Sequence, residues 1–202
     1  MDWNRLTPGL GLMALGFAIL AVAAALEAQI VLSGEYGESY LNADLTRLSM
    51  VPWALGFVFL GYGLDHPEVL WDRTRGRRVL ATYLLFADGG IHLLAIGEHV
   101  DLAAVVFFVV LTPFQLIGAW SMMNARPWYL RGWLYAGLVL IALYIASRLT
   151  VVPFVSQQYR VEPLGILAKA IEGLLVLVLA TELWALHRSE RQASTRTPAT
   201  QS

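Results

Sequence analysis

The chain contains no cysteine. That removes disulfides, thiolate metal ligands, iron–sulfur clusters and a cysteine nucleophile, so any metal would have to rest on histidine, carboxylate or methionine. Charge is also scarce. Only 14% of the 202 residues are charged, against 57% hydrophobic, whereas a soluble domain carries about a quarter charged residues. The net charge is −1, which argues against a nucleic-acid partner because nothing offsets the phosphate backbone. Lysine occurs once, as Lys169. No internal repeat is evident.

What the chain does have is long apolar runs. Six stand out, at 8–32, 47–64, 79–97, 102–123, 132–150 and 164–186, each about long enough to cross a hydrocarbon core of ~30 Å as a helix. The runs are continuous rather than alternating, and an isolated strand cannot satisfy its backbone in lipid, so helix is the expected state. The first run is longer than a signal-peptide core, and Leu26 and Glu27 spoil a small-residue cleavage site, which makes it a retained helix. The predicted fold is all-α: a polytopic membrane bundle of about six transmembrane helices over residues 1–187. A polar cytoplasmic tail, 188–202, is expected to be disordered. The interior glycines Gly56, Gly61, Gly89, Gly90 and Gly118 suit close helix packing. Trp3, Trp71, Trp128, Trp133 and Tyr129 read as interfacial belt residues.

Arginine sets the orientation. With the N-terminus in the cytoplasm, Arg5, Arg73, Arg75, Arg77, Arg78, Arg126, Arg131, Arg188, Arg191 and Arg196 fall inside, and only Arg47, Arg148 and Arg160 fall outside. Such a bias predicts a multi-pass protein of the cell (inner) membrane with both termini cytoplasmic, its first partner being the lipid bilayer.

Within this frame the ionisable residues share a depth. Asp88 falls near the middle of the third segment, with His92 roughly 6 Å further out. Glu172 and Lys169 on the sixth segment lie roughly 5 and 9 Å outward, and Glu27 and Arg148 roughly 10 Å outward. Glu98, His99, Asp101, Arg160 and Glu162 come at the outer interface. The inner half holds Glu182 near the cytoplasmic end, Gln115, and little else. Each charge at a helix centre opposes insertion by ~2.5–3.5 kcal/mol, so these groups are expected to face one another or a wet cavity. Glu27, Asp88 and Glu172 against Arg148 and Lys169 leave one excess negative charge, which a proton or a bound cation would neutralise.

Asp88 and His92 are four apart and His92 and His99 seven apart, so all three lie on one helix face. The metal reading takes Asp88, His92 and His99 as ligands of a transition-metal ion (Cu, Zn or Fe), with Glu27, Glu98, Gln115, Arg148, Glu162, Lys169 and Glu172 as the surrounding polar network. His99, about 10 Å along the axis from His92, is far for one ion and suits a second ion or a port of access. The bland alternative is a hydrogen-bonded cluster that fixes helix packing. Glu98 and Asp101 read most simply as interfacial residues capping the next helix.

Lys169 in the last helix invites comparison with a retinal Schiff base, but there are six segments and the lysine lies toward the outer end; a Lys169–Glu172 pair at i,i+3 is the simpler reading. Arg148 near an outer helix end suits snorkelling or pairing with a carboxylate. Only His92 is deep while His66 and His187 belong to the other side, so a bis-histidine haem is not indicated, and neither is a nucleotide.

GIHLLAIGEHV, then Gln115, then SRLTVVPF and VEPLGILAKAIE resemble a group of largely uncharacterised bacterial multi-helix integral membrane proteins with the pattern IH…EH, SR…P…EPxG…E. The likeness spans roughly residues 88–182 and includes His92, Glu98, His99, Gln115, Arg148, Pro153, Glu162, Pro163, Gly165 and Glu172. It implies a shared multi-helix membrane fold and marks those positions, but supplies no activity. Asp-x-x-x-His on a membrane helix is also similar to one copper-binding element of particulate methane monooxygenase, a motif too short to transfer that enzyme's chemistry.

Three classes of function remain open on the sequence: an outward-facing metal-binding protein for metal handling or redox work, a small-solute or proton-coupled transporter, and a non-catalytic subunit or assembly factor meeting a membrane partner or a second copy of itself. The sparse polar residues of the inner half and the lack of inverted repeats weigh against the transporter. No residue is assigned a catalytic role.

Overall fold

The apolar runs satisfy their backbone hydrogen bonds within themselves, as helices. The computed structural model describes residues 7–33, 40–96, 102–151 and 163–196. The helices in chain order are α1 Pro8–Ser33, α2 Tyr40–Asp65, α3 Glu68–Trp71, α4 Arg73–Ala95, α5 Leu102–Met122, α6 Pro127–Leu149 and α7 Pro163–Arg196. No strand occurs among the described residues.

Helix starts follow local chemistry. Thr7 Oγ1 accepts from the Leu10 amide at 3.1 Å ahead of Pro8, and donates to Asp65 Oδ2 at the end of α2. Asp72 Oδ1 accepts from the amides of Thr74 and Arg75 at 2.9 and 3.2 Å, which starts α4 one and a half turns earlier than the apolar run at 79 suggested. Pro127 begins α6 at a position where its missing N–H costs nothing. At the other end of the chain, α7 continues to Arg196, into the segment expected to be a disordered tail. No proline or glycine interrupts the chain there before Pro198, and Arg188 lies over the Trp184 ring one turn back.

Small residues set the closest helix approach. Gly9 on α1 meets Gly61 and Asp65 on α2, and Gly16 meets Ala54 and Val58. Gly9 and Gly16 are seven apart, as are Ala54 and Gly61, so the two helices run antiparallel with matched small faces. Gly61, Gly89 and Gly118 meet their expectation as packing glycines, whereas a side chain at Gly56 or Gly90 would enter open space. Gly118 carries the indole of Trp133, which is buried in the core formed with Leu85, Met122, Leu130, Leu175 and Leu179. Trp133 is therefore no belt residue: its position on α6 turns it toward α5, while Trp71 and Trp128 are exposed as expected.

Helix α4 is the hub, packing on α5 and α7 and more lightly on α1, α2 and α3; α6 packs on α7. The contacts Arg78–Glu182 and His92–Glu172 fix α4 and α7 as antiparallel. Thr7, Asp65, Arg73, Met123, Pro127 and Glu182 consequently gather at one arginine-rich end of the bundle. The outward faces of α1, α5, α6 and α7 are lined by exposed leucine, valine, isoleucine, phenylalanine and tryptophan. Pro8–Leu26, Leu102–Met122 and Pro127–Leu149 are each long and apolar enough to cross a membrane, and Met50–Asp65 is a shorter apolar stretch. Helix α4 packs inside this apolar shell from Ala81 onward, whereas α7 turns Glu172 and Glu182 inward and an apolar face outward.

Candidate metal centre

Asp88 and His92 stand one helical turn apart on the buried face of α4. Gln115 reaches them from α5, and Glu172 from α7; all four side chains are buried. Gly89 lets this happen, since the backbone of α4 there lies against Gln115 and Leu116, at a separation a Cβ would narrow to 3.3 and 3.1 Å.

The hydrogen bonds fix the chemistry. Gln115 Nε2 donates to Asp88 Oδ2 at 2.6 Å, and Gln115 Oε1 lies 2.8 Å from His92 Nδ1. With Asp88 ionised its carboxylate only accepts, which turns the amide nitrogen to Asp88 and the amide oxygen to the imidazole. Nδ1 therefore carries the proton, and Nε2 presents a lone pair. That lone pair lies 3.7 Å from Glu172 Oε1. Phe108, seven residues before Gln115 on α5, stacks on the ring with centroids 5.3 Å apart and holds its plane.

One ligand atom each from Asp88, His92 and Glu172 fall within 4.8 Å of one another. A tetrahedral ion with metal–ligand distances of about 2.0–2.2 Å sets its ligands about 3.3–3.6 Å apart, so the three side chains would have to close by up to roughly an ångström to hold one. Asp88 Oδ1 and Glu172 Oε2 are buried and make no hydrogen bond among the described residues. Burying such an oxygen without a partner costs roughly 1–3 kcal/mol, which a cation would remove. One imidazole nitrogen with two carboxylates suits a borderline divalent ion and leaves further coordination positions open.

Lys169 already supplies one positive charge. Its Nζ bonds Glu172 Oε1, the same oxygen that faces His92 Nε2, at the i,i+3 spacing expected from sequence. With both carboxyls ionised, Asp88 and Glu172 against Lys169 would leave one negative charge in the cluster, which a proton or a cation would neutralise. Lys169 Nζ also lies 5.4 Å from the Tyr144 ring centroid, and the Arg148 guanidinium lies 4.6 Å from the same ring. Arg148 thus joins the network through Tyr144, a residue whose role could have been read from its position four before Arg148 on α6.

Of the other residues expected here, His99, Glu98 and Glu162 lie outside the described residues, as do Asp101 and Arg160. Glu27 lies on α1, with its side chain outside the described set. The three-residue group that converges is accordingly Asp88, His92 and Glu172, with Glu172 taking a ligand's place.

A second buried charge cluster, at the arginine-rich end, escaped the sequence reading. Glu182, buried on α7, accepts from Arg77 Nε at 2.7 Å and Arg78 Nε at 3.2 Å, and Arg78 also bonds the Met123 carbonyl at 3.1 Å. The adjacent arginines and the lone deep carboxylate were the available signal. Between the two clusters the α4–α7 interface is apolar, with Ala81, Leu85, Leu175 and Leu179 all buried.

No family model, curated protein or solved structure matches this chain.

Proposed function

We propose that this protein crosses the bilayer six times and binds a transition-metal ion between α4, α5 and α7, in the half of the membrane away from its arginine-rich, cytoplasmic end. The observation that carries the proposal is the convergence of ligand atoms of Asp88, His92 and Glu172 within 4.8 Å of one another. Metal handling or redox work follows as the class of function, with Cu, Zn or Fe as the ions imidazole favours. The positive-inside bias supports the orientation, and the sequence resemblance to multi-helix bacterial membrane proteins is consistent with the site lying at their shared positions.

The ion shares Glu172 with Lys169. Glu172 Oε1 would hold the ion only once Lys169 had turned away from it, and the Tyr144 face offers the ammonium a place. A second reading has its own support. Gln115 and Lys169 already bond one polar atom each of Asp88, His92 and Glu172, so the cluster could serve only to lock α4, α5 and α7 together, as in a subunit of a larger membrane complex. The apolar layer between the clusters gives no support to a transport path.

Metal analysis of protein purified without chelators or affinity metals separates the two readings, combined with His92→Ala. About one equivalent of metal, lost in His92→Ala while the fold is kept, supports the metal centre. Less than a tenth of an equivalent of any metal, with His92→Ala unfolding the bundle, supports the structural lock.

A further inference from the structure

At the arginine-rich end a groove of about 280 Å³ opens between α2, α3 and α4, remote from the metal centre. Arg73, Gly76, Arg77 and Leu80 line it along one stripe of α4, at the i, i+3, i+4, i+7 spacing of a single helix face. Its floor is apolar, with Val69 and Val79 buried, and its membrane-side wall is formed by Phe59 and Leu80, 38% and 37% exposed. Gly76 lets α3 approach closely, since a Cβ there would meet the Val69 carbonyl at 3.1 Å.

The arginines are placed for an anion. Arg77 is fixed by its Nε bond to Glu182, which leaves its terminal amino groups without a bond to any described residue. Arg73 is exposed and pairs with no described carboxylate. Asp72, on the rim, already accepts two amide hydrogen bonds at the start of α4. Trp71, 86% exposed beside the groove, suits the headgroup level of a bilayer. The groove therefore grades from guanidinium groups to a bare hydrocarbon wall, the polarity of a phospholipid lying with its phosphate outward. Its volume, near the lower end of ligand pockets, fits a headgroup and the first part of its chains.

We infer that this groove binds the headgroup of an anionic phospholipid, with Arg73 and the free edge of Arg77 taking the phosphate. Native mass spectrometry of the purified full-length protein, titrated with phosphatidylglycerol and separately with phosphatidylcholine, reads this directly. Expected is one retained phosphatidylglycerol per chain with about tenfold preference over phosphatidylcholine. Arg73→Ala should remove that preference. Leu80→Trp, which fills the groove without altering charge, should abolish retention of both lipids. Arg131→Ala, at the same end of the bundle but outside the groove, should change nothing. Equal retention of the two lipids, Leu80→Trp binding as wild type, or Arg131→Ala losing as much as Arg73→Ala would each overturn the inference, the last by showing a diffuse surface field.

Discussion

Asp88 and His92, one turn apart on α4, do not bond each other. Their nearest polar atoms are 3.8 Å apart, and the amide of Gln115 holds both, at 2.6 Å to the carboxylate and 2.8 Å to the imidazole. With Asp88 ionised, a neighbouring helix thus directs the imidazole proton to Nδ1. Direct pairing of the two would have directed Nδ1–H at Asp88 and tied up the carboxylate oxygen that now has no hydrogen bond.

Gln115→Leu tests this relationship. It keeps the volume and removes both bonds, so the imidazole loses its enforced tautomer and Asp88 loses its donor. Metal affinity should fall about 10–100-fold, as for other residues that orient a ligand, and unfolding stability should fall by roughly 1–3 kcal/mol. Isothermal titration with Zn²⁺ and denaturant unfolding in micelles check the two effects. Unchanged affinity would show that Gln115 does not orient the ligand.

Lys169→Met separates the metal centre from a purely structural cluster. Removing the resident cation leaves Glu172 free to bind an ion but uncompensated without one. The apo protein should lose stability, since breaking a largely buried pair is costly. Divalent-ion affinity should rise about tenfold or more. Lys169→Arg, which keeps the charge, should bind no more tightly than wild type. Thermal unfolding with and without Zn²⁺ gives both readings, the metal-induced rise in Tm being larger in the methionine variant.

Much of this was legible in the sequence because long continuous apolar runs leave few choices but helix. The helices, the Asp88–His92 face and the Lys169–Glu172 pair follow from segment length and from i,i+3 and i,i+4 spacing. How each helix is rotated toward its neighbours does not follow. That rotation is set by the partner's shape, so Trp133 was expected at the membrane interface but lies buried on Gly118. Glu182 looked isolated at its depth because nothing in its own helix shows that Arg77 and Arg78 of α4 reach it. Gln115 could be placed in the polar network, but its role as a bridge depends on α4 and α5 approaching at Gly89.

Gly89 and Gly90 offer a paired test of that approach. A Cβ at Gly89 would come within 3.1 Å of Leu116 and 3.3 Å of Gln115, whereas one at Gly90 meets nothing within 4 Å. Gly89→Ala should push α5 outward, destabilise the bundle by about 1–3 kcal/mol and weaken metal binding. Gly90→Ala should be neutral or stabilise by about 0.5–1 kcal/mol through helix propensity. Denaturant midpoints of the two variants in the same micelle decide it, and equal effects would refute close packing at Gly89.

Glu182 should matter for the bundle and not for the metal. It lies nearly three helical turns from Glu172, behind the layer of Leu175 and Leu179, and its two arginines depend on it for compensation. Glu182→Ala leaves Arg77 and Arg78 side by side and partly buried, with no carboxylate between them. A loss of about 3 kcal/mol in unfolding stability is expected, in the range for removing one partner of a buried ion pair. Sites this far apart with no shared partner should act additively, so Zn²⁺ affinity of the folded variant should stay within a factor of two or so of wild type. Titration of the folded fraction, alongside the unfolding curve, distinguishes the two effects. A large drop in affinity would mean that the charge clusters communicate across the apolar layer, and the two ends of the α4–α7 interface would then have to be treated as one electrostatic unit.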